Sequence, residues 1–180
     1  MSDYHFSLIL SGDVDSGDVD ANLDLLFEAG CDDATFGSVD ATSYAEFDRK
    51  ADSLALAIGS AIQNLESVGA IRVVRVEPDA LVTAAEIAER LGRSRESVRL
   101  LISGDRGAGD FPAPISHLRT RNRLWRWSDV AMWARLADPD ALESAQLIAA
   151  VNAALDLRSS THSLPNDGRK LVKSLGRRVA

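Results

Sequence analysis

The sequence predicts an α+β protein in two parts, followed by C-terminal helices. Three observations carry that expectation: a β-α-β-β-α-β succession over the first 77 residues, a change of character after Pro78-Asp79, and a pair of short, separately capped helices beyond it. The chain has 180 residues, 46% apolar and 26% charged, as ordered globular proteins do. No apolar run reaches the roughly 18–20 residues of a membrane helix. The start, Met1-Ser2-Asp3-Tyr4-His5, lacks a basic region before an apolar stretch. A cytoplasmic location with no membrane partner is therefore expected.

Tyr4 to Leu10, aromatic and branched, reads as a first strand before a turn-rich loop, Ser11 to Asp20. Leu23, Leu26 and Phe27 give a helix over 19–29 its apolar stripe, and Gly30 stops it. Residues 34–39 and 42–47 read as two strands around a turn at Asp40-Ala41. Leu54, Ile58, Ile62 and Leu65 recur three or four apart, making 51–68 an amphipathic helix that ends at Gly69. Ile71 to Val76 is the final strand, stopped by Pro78. This order is that of the split βαβ, ferredoxin-like arrangement, a scaffold that by itself decides no function. Residues 1–78 are expected to form an acidic α/β domain for dimerisation, ligand binding or capture of a protein partner.

Thr83 then caps a helix running to Leu91, and Ser94 caps a second running to about Ser103. Gly-rich residues 104–110 lead into Phe111-Pro112-Ala113-Pro114-Ile115. Leu124 to Trp127 is a short strand, Ser128 caps a helix over 129–137, and Asp138-Pro139 breaks it. Another helix spans about 140–157. From Arg158 onward six Lys/Arg accompany only Asp167; this tail is a short helix around 171–175, or disordered until a partner binds. The expected boundaries are 79–137 for the second domain and 138–180 for a C-terminal helix and basic tail.

The net charge of −7 at first argues against a polyanionic partner. Its distribution reverses the impression. Residues 1–80 hold 16 Asp/Glu and 4 Lys/Arg, whereas residues 81–180 hold 11 and 16. Arg90, Arg93, Arg95, Arg99, Arg106, Arg119, Arg121, Arg123 and Arg126 crowd into 90–127 against Glu96, Asp105 and Asp110. Such asymmetry suits a chain of which one half meets a polyanion, although a solvated face produces the same count.

Ile87, Ala88 and Leu91 form the inner face of one helix of the pair, and Val98, Leu101 and Ile102 that of the next. Small Ala88 lets the helices cross closely, and Gly92 permits the tight turn. With Ser94 as cap, Arg95, Glu96, Ser97 and Arg99 fall on or near the outer face. An arginine near a helix N-terminus suits a DNA major groove, because its guanidinium pairs bidentately with guanine or clamps phosphate.

The pattern continues as Ile87-Ala88-x-x-Leu91-Gly92-x-Ser94-x-x-x-Val98, then Asp110-Phe111-Pro112-Ala113-Pro114-Ile115, then Leu124-Trp125-Arg126-Trp127-Ser128-Asp129-Val130-Ala131-Met132-Trp133. Over residues 80–136 it resembles the winged helix-turn-helix domains of the excisionase, AlpA-like and MerR-like superfamily. The resemblance implies a recognition helix over 94–103 entering the major groove with Arg93, Ser94, Arg95, Glu96, Ser97 and Arg99. It implies an Arg-rich wing over 115–126 that reaches phosphates or the minor groove through Arg119, Arg121 and Arg123. A longer Gly-rich insert, Ser103 to Gly109, and a wing extended by His117 to Asn122 depart from the family pattern and bear on how the wing sits. Trp125, Trp127 and Trp133 read as core and wing packing rather than base-stacking platforms.

The function expected is a sequence-specific transcriptional regulator that binds double-stranded DNA as a homodimer, since one short helix buries little surface. One alternative is an antitoxin that holds a basic protein through residues 1–78 and represses its own promoter. A second is a phage excisionase-like architectural factor. No enzyme, cofactor or metal site is expected. An EF-hand begun at Asp13 would need Gly at 18 and Glu at 24 but finds Asp18 and Asp24. His5, His117 and His162 are scattered, and Cys31 follows a helix C-terminus, where a reactive thiol is not favoured.

Overall fold

A computed structural model describes residues 1–11, 19–69, 71–78, 80–120, 122–135 and 139–176, with backbone alone for 19–22 and 139–140. Most of the acidic loop Ser11 to Asp20 thus lies outside the described residues. The chain divides into two compact units, Met1–Val76 with Val151–Ala180, and Glu77–Ala150. Residues 138–180, expected as one C-terminal region, are shared between them. Among the described residues no helix is long and apolar enough to cross a membrane.

The first unit runs β1 (Ser2–Ser11), α1 (Val19–Glu28), β2 (Ala34–Val39), β3 (Thr42–Ala51), α2 (Leu54–Ser67) and β4 (Arg72–Glu77). Its four strands form one antiparallel sheet in the order β2-β3-β1-β4, so β2 and β4 are the edges. Alternation fixes the buried face: Phe6, Leu8 and Leu10 of β1 are buried while Ser7 and Ile9 between them are half-exposed. Register places Phe6 opposite Phe47 of β3, and the two rings stack at 5.5 Å. The helix faces differ in part from expectation. In α2 the buried residues are Ala57, Ile58, Ala61 and Leu65, with Leu54 and Ile62 only half-buried. In α1, Leu26 is buried but Phe27 is exposed. Small alanines carry no weight in a count of large apolar residues, yet they allow a helix to lie closest to a sheet.

Arg49, at the C-terminal end of β3, is buried and fully engaged. Its guanidinium grips Asp33 through two 2.7 Å bonds, donates to the Gly30 carbonyl and to Ser60 Oγ, and lies 4.8 Å over the Phe47 ring. A buried cation needs such complete pairing.

The second unit contains β5 (Leu81–Val82), α3 (Ala84–Arg90), α4 (Arg95–Ser103), β6 (Trp125–Arg126) and α5 (Trp127–Trp133). α6 (Pro139–His162) starts in this unit and finishes in the first, and α7 (Asn166–Gly176) belongs to the first. The core is Val82, Ile87, Ala88, Val98, Trp125 and Val130, with Leu91, Ile102, Phe111 and Trp127 packed against it. The sequence did not announce β5, which pairs antiparallel with β6.

Several expected boundaries move: β3 runs on to Ala51 rather than stopping at 47, α2 therefore starts at Leu54 rather than 51, and α5 ends at Trp133 rather than 137. Ser128 is not a cap: α5 begins at Trp127, whose N–H is taken by the Ala80 carbonyl at 2.7 Å, and Ser128 lies buried inside the first turn. Pro139 opens α6 rather than only ending its predecessor, because proline lacks the N–H that the first helical position leaves unpaired anyway. α6 also continues to His162 instead of stopping near 157, and the tail forms α7.

Candidate nucleic-acid interface

The helix pair α3–α4 is built by local chemistry that the sequence announced. Thr83 and Glu86 form a reciprocal capping box: the Glu86 N–H donates to Thr83 Oγ1, and Glu86 accepts from the Thr83 N–H at 2.7 Å. Burial works against the Glu86 carboxylate, but the Thr83 N–H and hydroxyl hold it below its usual range. At the other end the Gly92 N–H donates to the Glu89 carbonyl and the Arg93 N–H to the Ala88 carbonyl, the two bonds of a Schellman closure. Gly92 sits at φ +61°, where a side chain would cost about 1–2 kcal/mol. The chain therefore reverses in the residues Gly92 and Arg93 and enters α4 through Ser94, whose hydroxyl accepts from the Ser97 N–H.

On α4, Val98 and Leu101 are buried, and Arg95, Glu96 and Arg99 are exposed on the other side. Arg93 and Ser94 are also exposed, and Ser97 is half-buried. The structure brings two of these together: Arg99 forks onto Glu96 through bonds of 3.0 and 2.8 Å. The pair holds the Glu96 carboxyl below its usual range and the Arg99 guanidinium above its own. Ser94 Oγ is likewise committed to its capping role. Of the expected contact residues, Arg93 and Arg95 thus offer their charge without an ion-pair partner among the described residues, whereas Arg99 offers a charge already matched.

The expected wing is short. Ser116 and Leu124 form a single antiparallel bridge, with Ile115 N–H to the Leu124 carbonyl at 2.8 Å and Leu124 N–H to the Ser116 carbonyl at 3.2 Å. The loop between them is closed by its own side chains. His117, at φ +55°, accepts through its carbonyl from the Thr120 N–H and hydroxyl, and Thr120 Oγ1 accepts from the Asn122 N–H. Arg119, Leu118 and Arg123 are exposed on this loop; Arg121 lies outside the described residues. Among the described residues no hydrogen bond or ion pair ties Arg119 or Arg123 to α4.

The tryptophans are anchors. Trp125 is buried and donates through Nε1 to the Pro112 carbonyl, and Trp133 Nε1 donates to Asp110 at 2.9 Å. Phe111 meets both rings edge-on, at 6.4 and 4.8 Å. The Asp-Phe-Pro segment is therefore pinned where it enters the loop. Arg90 lies 5.2 Å over the Trp127 ring, a contact that the sequence reading missed because it joins residues 37 positions apart.

Redrawn at the unit boundaries, the charge asymmetry shrinks. Residues 77–150 hold 10 arginines against 11 Asp/Glu, and the remainder holds 10 Lys/Arg against 16. The basic tail, counted with the C-terminal half in sequence, belongs to the first unit. What survives is local: the arginines of the α3–α4 turn, α4 and the loop 116–124. Compared with models of known protein families, with characterised proteins and with solved structures, the chain finds no match.

Proposed function

We propose that the chain is a sequence-specific DNA-binding regulator, with α4 reading the major groove and the loop 116–124 lying on phosphates or in the minor groove. One observation carries the reading: a doubly capped helix pair presents Arg93, Arg95, Glu96 and Arg99 on an exposed surface backed by a well-packed core. Arginine near a helix N-terminus can reach guanine edges or phosphate. Arg119 and Arg123, and Arg121 from sequence, would add backbone contacts that position rather than specify. We further propose that the first unit has the ferredoxin-like arrangement, supported by the order β2-β3-β1-β4, and that the second is a winged helix-turn-helix whose wing is the Ser116–Leu124 turn. The regulator acts as a homodimer, because one helix of nine residues gives limited contact with a single half-site.

The test is selection from a random duplex library, with binding compared at about 50 and 200 mM salt. A recovered palindrome or direct repeat supports the reading. Salt-sensitive binding with no motif would replace it with an architectural role. No binding at either salt would exclude DNA as the partner.

A further inference from the structure

The first unit contains a cleft of about 380 Å³ where the start of β4 meets the last turns of α6. That volume lies at the small end of the range for ligand sites. Its floor is apolar, formed by Val73, Val74 and Leu155. Its rim is polar: Arg72, Arg158 and His162, with the hydroxyls of Ser159 and Ser163 and that of Ser11, which donates to the Arg72 carbonyl at 3.5 Å. Among the described residues no carboxylate lines it.

The two arginines differ in their commitments. Arg158 is held by Glu66 through bonds of 3.0 and 2.7 Å and donates to the Val73 carbonyl, so its charge is matched and its position fixed. Arg72 donates only to the backbone carbonyls of Gly69 and Ile71, both through one terminal nitrogen. Its charge has no carboxylate partner among the described residues, and its remaining N–H groups are available. The side chains of Ser159, His162 and Ser163 likewise have no hydrogen-bond partner among the described residues. One effect opposes an anion here, the negative end of α6. The Thr161 hydroxyl is turned back on the Leu157 carbonyl at 2.7 Å.

We infer that this cleft binds a small organic anion, its oxyanion head on Arg72 and the hydroxyls of Ser159 and Ser163 and its apolar body on Val73, Val74 and Leu155. A guanidinium with free donors grips carboxylate or phosphate more strongly than a neutral donor does. The inference is independent of DNA binding.

The experiment titrates phenyl phosphate, inorganic phosphate and benzylammonium into the full chain, followed by calorimetry and by the His162 ring resonances. Saturable binding of phenyl phosphate is expected, about tenfold tighter than inorganic phosphate because of the apolar floor, with His162 shifted and benzylammonium inert. Arg72→Gln should weaken phenyl phosphate at least about tenfold while leaving the melting temperature unchanged. Ser159→Val should weaken it less. Failure to saturate, equal binding of the cation, or an unaltered affinity in Arg72→Gln would each overturn the assignment.

Discussion

The carboxamide of Asn152 holds both backbone groups of Val76: it accepts from the N–H at 2.8 Å and donates to the carbonyl at 2.9 Å. Both residues are buried, and Val76 lies on β4, an edge of the sheet. A side chain on α6 thus does for this position what a neighbouring strand would do, and the Arg158 bond to the Val73 carbonyl adds a second such closure. An open edge invites pairing with another molecule.

Asn152→Leu should therefore destabilise the first unit by about 3 kcal/mol, since it leaves a buried N–H and a buried carbonyl unpaired. Urea denaturation followed by circular dichroism measures it. A loss below about 0.5 kcal/mol would mean that water or backbone movement replaces the amide without cost.

The buried Arg49–Asp33 pair gives a second stability prediction. Asp33→Asn keeps the shape but strands the guanidinium, and a loss of about 3–5 kcal/mol is expected. The double variant Arg49→Met with Asp33→Leu should recover part of it. With the single variants Arg49→Met and Asp33→Leu the double completes a cycle, and additive losses across it would show that the two side chains do not act as a unit.

How much of this was legible in the sequence depends on the range of the interaction. Thr83, Gly92 and Ser94 act on residues within four positions, and each was read in its correct role. Ser128 resembles a cap locally, but the bond from Trp127 to Ala80, across the β5–β6 pairing, moves the helix start past it. β5 is two residues long and has no periodicity to detect. Arg49, Asn152 and Arg90 owe their partners to chain segments 11 to 76 residues away, a distance at which single-sequence patterns carry no signal. On α4 the sequence pattern places Arg95 and Arg99 on the outer face, and both are exposed there, but it gives no sign that Arg99 is matched by Glu96.

Cys31 should prove unreactive. Burial pushes its thiol from the ordinary 9.0 up to about 11, against the pull of Arg49 and with the help of Asp33 and Asp32. Modification by a disulfide reagent at pH 8 should be slow in the folded protein and fast in urea. An acid whose pKa is higher folded than unfolded favours folding below the unfolded value. The contribution is thus present below about pH 9 and lost between 9 and 11. In Cys31→Ala the fall in stability across that window should be smaller; an identical fall would assign it to other groups.

If α4 contacts DNA, Glu96 is a restraint. Glu96→Gln removes one negative charge and weakens the hold on Arg99, so affinity should rise about three- to tenfold at low salt, with a steeper salt slope. Arg95→Ala and Arg99→Ala should instead abolish preference for the selected site while the fold persists. Mutating Arg119 and Arg123 should lower affinity for all sequences alike. An unchanged affinity in Glu96→Gln, measured by fluorescence anisotropy, would place α4 off the DNA.

The passage of α6 from one unit into the other has a topological consequence. The chain leaves the first unit after Val76, builds the second, and returns at Val151, so residues 77–150 are an insertion with two covalent attachments. A fragment ending near residue 137, the cut that sequence alone recommends, would be no complete domain. It would lack Asn152 and Arg158, and β4 would display unpaired backbone to any strand it met. The piece suited to excision is the inserted one, and the first unit is suited to being rejoined across the gap by a short linker.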